Sequence, residues 1–172
     1  MINNKINFGS TESVAGSFGY LWQEGTDTVL VVGSGWTSRP DELLALVHPS
    51  LRTASAVGRS DSKIIDDAVR DYSDGDLDAI DAIPVRQRSG PFIEAAWDAL
   101  RATPPGDGST YTDLADRAGR PSAVRAAAAA CAYNAAALFV PCHRIVRRDG
   151  GLGGFRYGLE IKRTLLAHES AA

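Results

Sequence analysis

The sequence predicts an α/β protein of two small domains, an N-terminal sheet-bearing support domain over residues 1–84 and a mostly helical C-terminal domain over residues 85–172. Three observations predict this division. Strand-like apolar runs, residues 18–22 and 28–32, flank the turn Gln23-Glu24-Gly25-Thr26-Asp27 in the first half. From Pro91 onward the apolar spacing is helical, with two short helices joined by a glycine-containing turn. Charge divides at the same place. Residues 1–84 hold 6 Lys+Arg against 13 Asp+Glu, a net −7, whereas residues 85–172 hold 12 against 8, a net +4. A basic half suits an acidic partner such as nucleic acid.

The chain has 172 residues, 44% of them hydrophobic and 23% charged, an ordinary globular composition. At this size about 70% of the unfolded surface can be buried, so neither disulfide nor metal is needed as a staple. The two cysteines, Cys131 and Cys142, and the three histidines, His48, His143 and His168, fit no zinc-ligand spacing, so no metal and no cofactor are expected. Residues 1–10 hold no apolar signal core, and no run approaches a membrane span. These features exclude membrane and disulfide-framework classes and predict a cytoplasmic protein with reduced thiols.

Taken in order, residues 1–17 are polar and Gly/Ser-rich and predict no element. After the hairpin, Gly33-Ser34-Gly35 breaks the pattern and Pro40-Asp41-Glu42 opens a short helix, Pro suiting the first turn and acids the positive end. Ser60 or Asp61 is expected to cap a second helix with Ile64, Ile65, Ala68, Val69 and Tyr72 at helical spacing. Residues 79–84 read as an extended edge segment. This half gathers no nucleophile, base or ligand set, so it is read as support.

Residues 86–90 read as a linker, and Pro91 starts a helix with the stripe Phe92, Ala95, Ala96, Ala99, Leu100. Thr110 is expected to cap a helix from Tyr111 to Arg117. Residues 118–121 turn, and residues 122–133 form a second helix with Ser122 as its cap. That helix carries Arg125 and then five alanines, a face that lets another surface approach the backbone. The same run would also suit tight internal packing. Residues 150–158, rich in glycine and holding Phe155 and Tyr157, suit a loop folded against a flat ligand. A closing helix follows from Leu159, ending His168-Glu169.

Chemistry concentrates at Pro141-Cys142-His143-Arg144-Ile145-Val146. An apolar run, residues 135–140, reads as a buried strand that Pro141 ends. A thiol beside an imidazole and a guanidinium is a candidate activated nucleophile. On an extended chain, however, adjacent side chains diverge, and a cysteine is also a common small core residue. The residues alone leave open a reactive thiol, an inert thiol in a DNA-binding helix-turn-helix module, and a cysteine hydrolase, for which no acyl pocket is evident.

Together these motifs resemble the O6-alkylguanine-DNA alkyltransferase family. The resemblance covers residues 66–172 and rests on Tyr111-Thr112-Asp113-Leu114-Ala115, Arg125 to Asn134, the Pro-Cys-His-Arg signature at 141–144, Gly154-Phe155-Arg156-Tyr157-Gly158, Lys162 and Leu165-Leu166. Residues 1–65 match only in general character. The resemblance implies a ribonuclease H-like N-terminal domain and a winged helix-turn-helix-like DNA-binding motif. It implies direct-reversal repair, in which an alkyl group moves irreversibly from O6 of guanine, and less readily from O4 of thymine, to a cysteine after the nucleotide is flipped out. Cys142 then matches the acceptor, His143 the base acting through a water, Glu169 the carboxylate orienting it, and Asn134 the hinge. Tyr111 matches the tyrosine that protonates N3 of the leaving guanine and crowds the flipped phosphate.

Arg125 matches the residue that fills the gap in the stack. Ala126, Ala127, Ala130, Tyr111, Arg144 and Arg147 are expected at the DNA, and Ile145, Phe155, Arg156 and Tyr157 around the base. The carbonyls of Cys142 and Ile145 would face the guanine amine, and Lys162 matches a lysine packed near the site. The implied partner is double-stranded DNA carrying O6-alkylguanine, met by a monomer, with no membrane, metal or cofactor. Phe155 stands where the family often has Tyr, and Gly154 where others carry Asn or Ser.

Overall fold

The computed structural model describes residues 4–172; the first three residues of the polar N-terminal stretch lie outside it. The described chain forms two compact units. One comprises residues up to Arg88 together with Ala135–Phe139, and the other comprises Ser89–Asn134 and Val140–Ala172. The fold is α/β, but a single cut after residue 84 misses the five residues that return to the first unit.

The first unit is a four-stranded mixed sheet in the order β3-β2-β1-β4. Strands β1 (Asn7–Ser13), β2 (Gly16–Glu24) and β3 (Val29–Gly35) are antiparallel, and the two-residue β4 (Gly58–Arg59) runs parallel to β1. The hairpin lies where the sequence placed it. β1 is an addition: its Asn-Phe-Gly-Ser-Thr-Glu-Ser run has one large apolar side chain, and Gly9 leaves room for the ring of Tyr20, which a Cβ there would meet at 2.6 Å. Alternating side chains of β2 feed two layers. Leu21 packs with Phe8, Val32, Leu43 and Val47 beneath α1 (Pro40–Leu46), whereas Tyr20 bonds α2 (Lys63–Ser73) through Asp66. The cap of α2 is Ser62, whose hydroxyl accepts from the Ile65 amide, rather than Ser60 or Asp61.

Two segments expected to be extended are not regular strands. Residues Ala79–Ala82 form a 3₁₀ turn rather than an edge strand, and the pairing with Val31 starts only at Val85. Residues 135–140 are buried but form no regular strand. Their partners differ residue by residue: the Ala135 amide donates to Gln87, the Ala135 carbonyl accepts from the Ser34 amide, the Ser34 hydroxyl donates to the Ala137 carbonyl, and Leu138 adopts φ 77°. A left-handed leucine breaks any ladder.

In the second unit, α3 (Pro91–Arg101), α4 (Tyr111–Arg117) and α5 (Val124–Tyr133) pack on one another. Thr110 caps α4 as expected, and the structure adds a reciprocal box with Asp113. α5 starts two residues later than expected, with Ala123 as its cap, and Trp97 Nε1 donates to the Ala130 carbonyl at 2.9 Å. The closing helix α6 is Leu159–Ala171.

Candidate active site

Cys142, His143 and Arg144 occupy one 3₁₀ turn rather than an extended strand end. The turn follows from Pro141, which directs the chain away from the preceding segment, and it closes when the Ile145 amide donates to the Cys142 carbonyl at 3.2 Å. Cys142 remains partly accessible, whereas His143 is fully buried and Arg144 is 3% exposed.

Glu169, from the last turns of α6, is buried beneath this turn. Its Oε1 lies 2.7 Å from Nε2 of His143, and Nε of Arg144 lies 3.1 and 3.2 Å from the two carboxylate oxygens. Burial alone would raise the Glu169 carboxyl, but the His143 and Arg144 bonds and charges prevail and hold it at about 2. Ionised, the carboxylate can only accept, so Nε2 of His143 carries the hydrogen and donates. His143 Nδ1 is thereby left as an acceptor, buried and with no hydrogen-bond partner among the described residues. Burial lowers the imidazole below its ordinary value against the pull of Glu169, so it rests neutral at pH 7.

The thiol of Cys142 is raised by burial, an effect opposed by a hydrogen bond from Asn134 and by Lys162 and Arg156, so it also rests protonated. Asn134, at the C-cap of α5, donates from Nδ2 to the Val140 carbonyl at 2.8 Å and so ties the helix end to the chain entering the turn. Lys162 is completely buried, and its Nζ donates to the carbonyls of Ile145 (2.7 Å), Leu152 and Gly154 (3.4 Å). It pins the glycine-rich loop to the residue that follows the turn. One lone pair of the Ile145 carbonyl is therefore committed to the lysine.

Tyr111 is half-buried at the start of α4, and burial raises its phenol, which stays a donor at neutral pH. Its hydroxyl lies against Gly153, where φ is 73° and a Cβ would meet it at 2.8 Å. Only glycine meets both demands. Phe155 and Tyr157 pack edge to face with centroids 5.9 Å apart, and Arg156 donates to the Ala132 carbonyl at the end of α5.

Three residues expected at the DNA are placed elsewhere. Ala127 and Ala130 are fully buried, filling the side of α5 that packs within the unit. The exposed side carries Arg125 and Ala128, with Ala126 and Ala129 half-buried. An all-alanine run has no polar face, so spacing alone could not say which alanines point out. Arg144 is the third, drawn inward by Glu169; a charge predicts the surface until its buried partner is known. Arg147 is exposed and pairs loosely with Asp149 at 3.6 Å. Nothing in the residue pattern points to the Thr103 carbonyl, which accepts from Arg144 Nη1 at 2.7 Å, because any residue type supplies a carbonyl. Among the described residues no group of three or more His, Cys, Asp or Glu side chains could hold a metal ion, and no helix is long and apolar enough to cross a membrane.

Residues 91–171 match the family model of the 6-O-methylguanine DNA methyltransferase DNA-binding domain. The chain is 34% identical over 160 residues to a methylated-DNA–protein-cysteine methyltransferase of Salmonella typhimurium, covering 92% of this chain and 94% of that one. It is 31% identical to the Shigella flexneri protein of the same name, with the same coverage. The chain belongs to the methylated-DNA–protein-cysteine methyltransferase family. The alkyltransferase relationship implied by the motifs extends over residues 1–65 as well. The crystal structure of an O6-methylguanine-DNA methyltransferase from Pyrococcus kodakaraensis strain KOD1 superposes with a TM-score of 0.72 at 25% identity, covering 94% of this chain and 98% of that one. In this methyltransferase family member, the turn at Cys142, the buried Glu169 and α5 all fall within the matched domain.

Proposed function

We propose that Cys142 is the alkyl acceptor and that His143, Glu169, Asn134 and Tyr111 prepare and complete the transfer. The protein is a DNA repair methyltransferase, and DNA is its partner. The observation that carries the residue-level reading is the buried, unpartnered Nδ1 of a neutral His143 whose other nitrogen is committed to Glu169, one residue from a partly accessible thiol. Such a nitrogen is a base held ready, reaching the thiol directly or through one water.

In the proposed reaction the Cys142 proton passes to Nδ1 of His143. The sulfur then attacks the alkyl carbon on O6 of guanine in line. The S–C bond forms as the C–O6 bond breaks, and the electron pair goes to the guanine. Tyr111 supplies a proton at N3 of the leaving base and recovers one by way of the imidazolium. The thioether has no route back to thiol, so each molecule acts once. Lys162 and Arg156 add positive charge that favours the developing thiolate.

The target base reaches the sulfur by flipping out of the duplex, with Arg125 on the exposed side of α5 entering the gap. Ala126 and Ala128 replace Ala127 and Ala130 as the small residues facing the groove. Ile145, Phe155, Arg156 and Tyr157 surround the base, and O6-alkylguanine is preferred over O4-alkylthymine. The protein acts as a monomer in the cytoplasm. Cys142→Ala tests the assignment: it should bind an O6-methylguanine duplex as the unaltered protein does and transfer nothing. Transfer by this variant would overturn the reading.

A further inference from the structure

The Arg144 guanidinium is almost wholly buried and is shared between two structural tasks. Nε and Nη2 face Glu169, with Nη2 3.0 Å from Oε1, while Nη1 donates to the Thr103 carbonyl just beyond the end of α3. The Thr103 hydroxyl in turn accepts from Arg117 Nη1 at 3.0 Å, fixing that end of the arrangement. The same Oε1 that receives His143 thus also faces a permanent cation.

A carboxylate alone beside a buried imidazole would draw a proton onto it, because the ion pair is favoured at low dielectric. A carboxylate already balanced by a guanidinium exerts far less pull. The charged groups facing the His143 ring are Glu169 and Lys162 from α6 and Arg144 from its own turn, with the Cys142 thiol beside it. Two cations against one anion leave no net incentive to charge the imidazole.

We propose that Arg144 is a positioning residue that neutralises Glu169 and aims it at His143, so that the carboxylate orients the imidazole without charging it. This rests on His143 being the proton acceptor. It also explains why an arginine, with a planar fork able to bridge a carboxylate and a distant carbonyl, stands where a DNA contact was expected.

The test reads two quantities in the full-length protein: the titration of His143 by NMR of the ring nitrogens, and the acid limb of single-turnover methyl transfer. In the unaltered protein both should fall together, below the ordinary histidine range. Arg144→Gln should move both upward by about one pH unit or more, about a tenfold loss of rate per unit on the acid side. Arg144→Lys keeps the charge and should leave the limb in place even if the rate drops. Arg144→Gln combined with Glu169→Gln removes cation and anion together and should return the limb to its original position, whereas a merely structural role predicts a worse protein. If Arg144→Gln does not fold, the Lys and double variants decide, and an upward shift in either overturns the proposal. A limb that follows His143 in every variant but ignores Arg144 keeps the base assignment and sinks this role. A limb that ignores His143 sinks the base assignment, and a titration that still moves with Arg144 supports the control of the imidazole.

Discussion

Each of the two units buries a polar cluster, and the two clusters are finished differently. In the first, the fully buried Tyr20 hydroxyl donates to Asp66 at 2.6 Å and accepts from the Ser62 amide at 2.9 Å. Its donor and acceptor capacity are both used. In the second, Glu169 is doubly engaged while Nδ1 of His143 has no hydrogen-bond partner among the described residues. A cluster closed on itself holds a fold together; the second leaves its one buried acceptor lone pair, on the imidazole, open beside the thiol. The cost of a buried unsatisfied group, about 1–3 kcal/mol, is what marks the second as functional.

The largest effect that sharpens this contrast is on catalysis. His143→Gln should lower single-turnover transfer by about 10²–10⁴-fold, the usual contribution of a general base. Tyr20→Phe should leave transfer unchanged, measured on the same methylated duplex. Next comes stability. Tyr20→Phe strands the Ser62 amide and should cost about 1–3 kcal/mol by denaturant unfolding, chiefly in the first unit. Gly153→Ala, which drives a methyl group against the Tyr111 hydroxyl, should slow transfer while leaving the first unit's unfolding untouched.

pH separates the two clusters further. Burial raises the Tyr20 phenol well above its ordinary 10.0, followed by its bond to Asp66, so the folded state keeps a proton that the unfolded chain releases. Its stability contribution is complete below pH 10 and is lost as pH rises beyond it. Glu169 runs the other way, from 4.5 unfolded to about 2 folded: its contribution is present above pH 4.5 and is lost as pH falls toward 2. His143, lowered from 6.5, begins the same acid loss at a higher pH, because the unfolded chain takes the proton first. Alkaline melts should therefore flatten in Tyr20→Phe and acid melts in Glu169→Gln. The smallest effect is at the surface: Arg125→Ala should weaken DNA binding and lessen its salt dependence modestly.

Much of this was legible beforehand where local chemistry decides structure. Thr110, Pro40 and Pro91 mark helix starts that any chain would respect. Cys142 and His143 stand out because the chain has only two cysteines and three histidines, whereas Glu169 is one of 21 acidic residues and is marked only by the family resemblance. What stayed hidden depended on distant partners. Ser34 and Gln87 decide the path of residues 135–140, and Glu169, 25 residues away, draws Arg144 inside. The alanines of α5 carry no pattern from which an inward face could be read.

Of the two thiols, one has a base adjoining it in the chain and the other does not. Burial raises the Cys131 thiol as it does that of Cys142, but no imidazole adjoins Cys131 in the sequence. Intact mass and peptide mapping after incubation with excess O6-methylguanine duplex compare the two directly. One added methyl group per chain is expected, on Cys142, with Cys131 unmodified. Methylation of Cys131, or more than one group per chain, would contradict it.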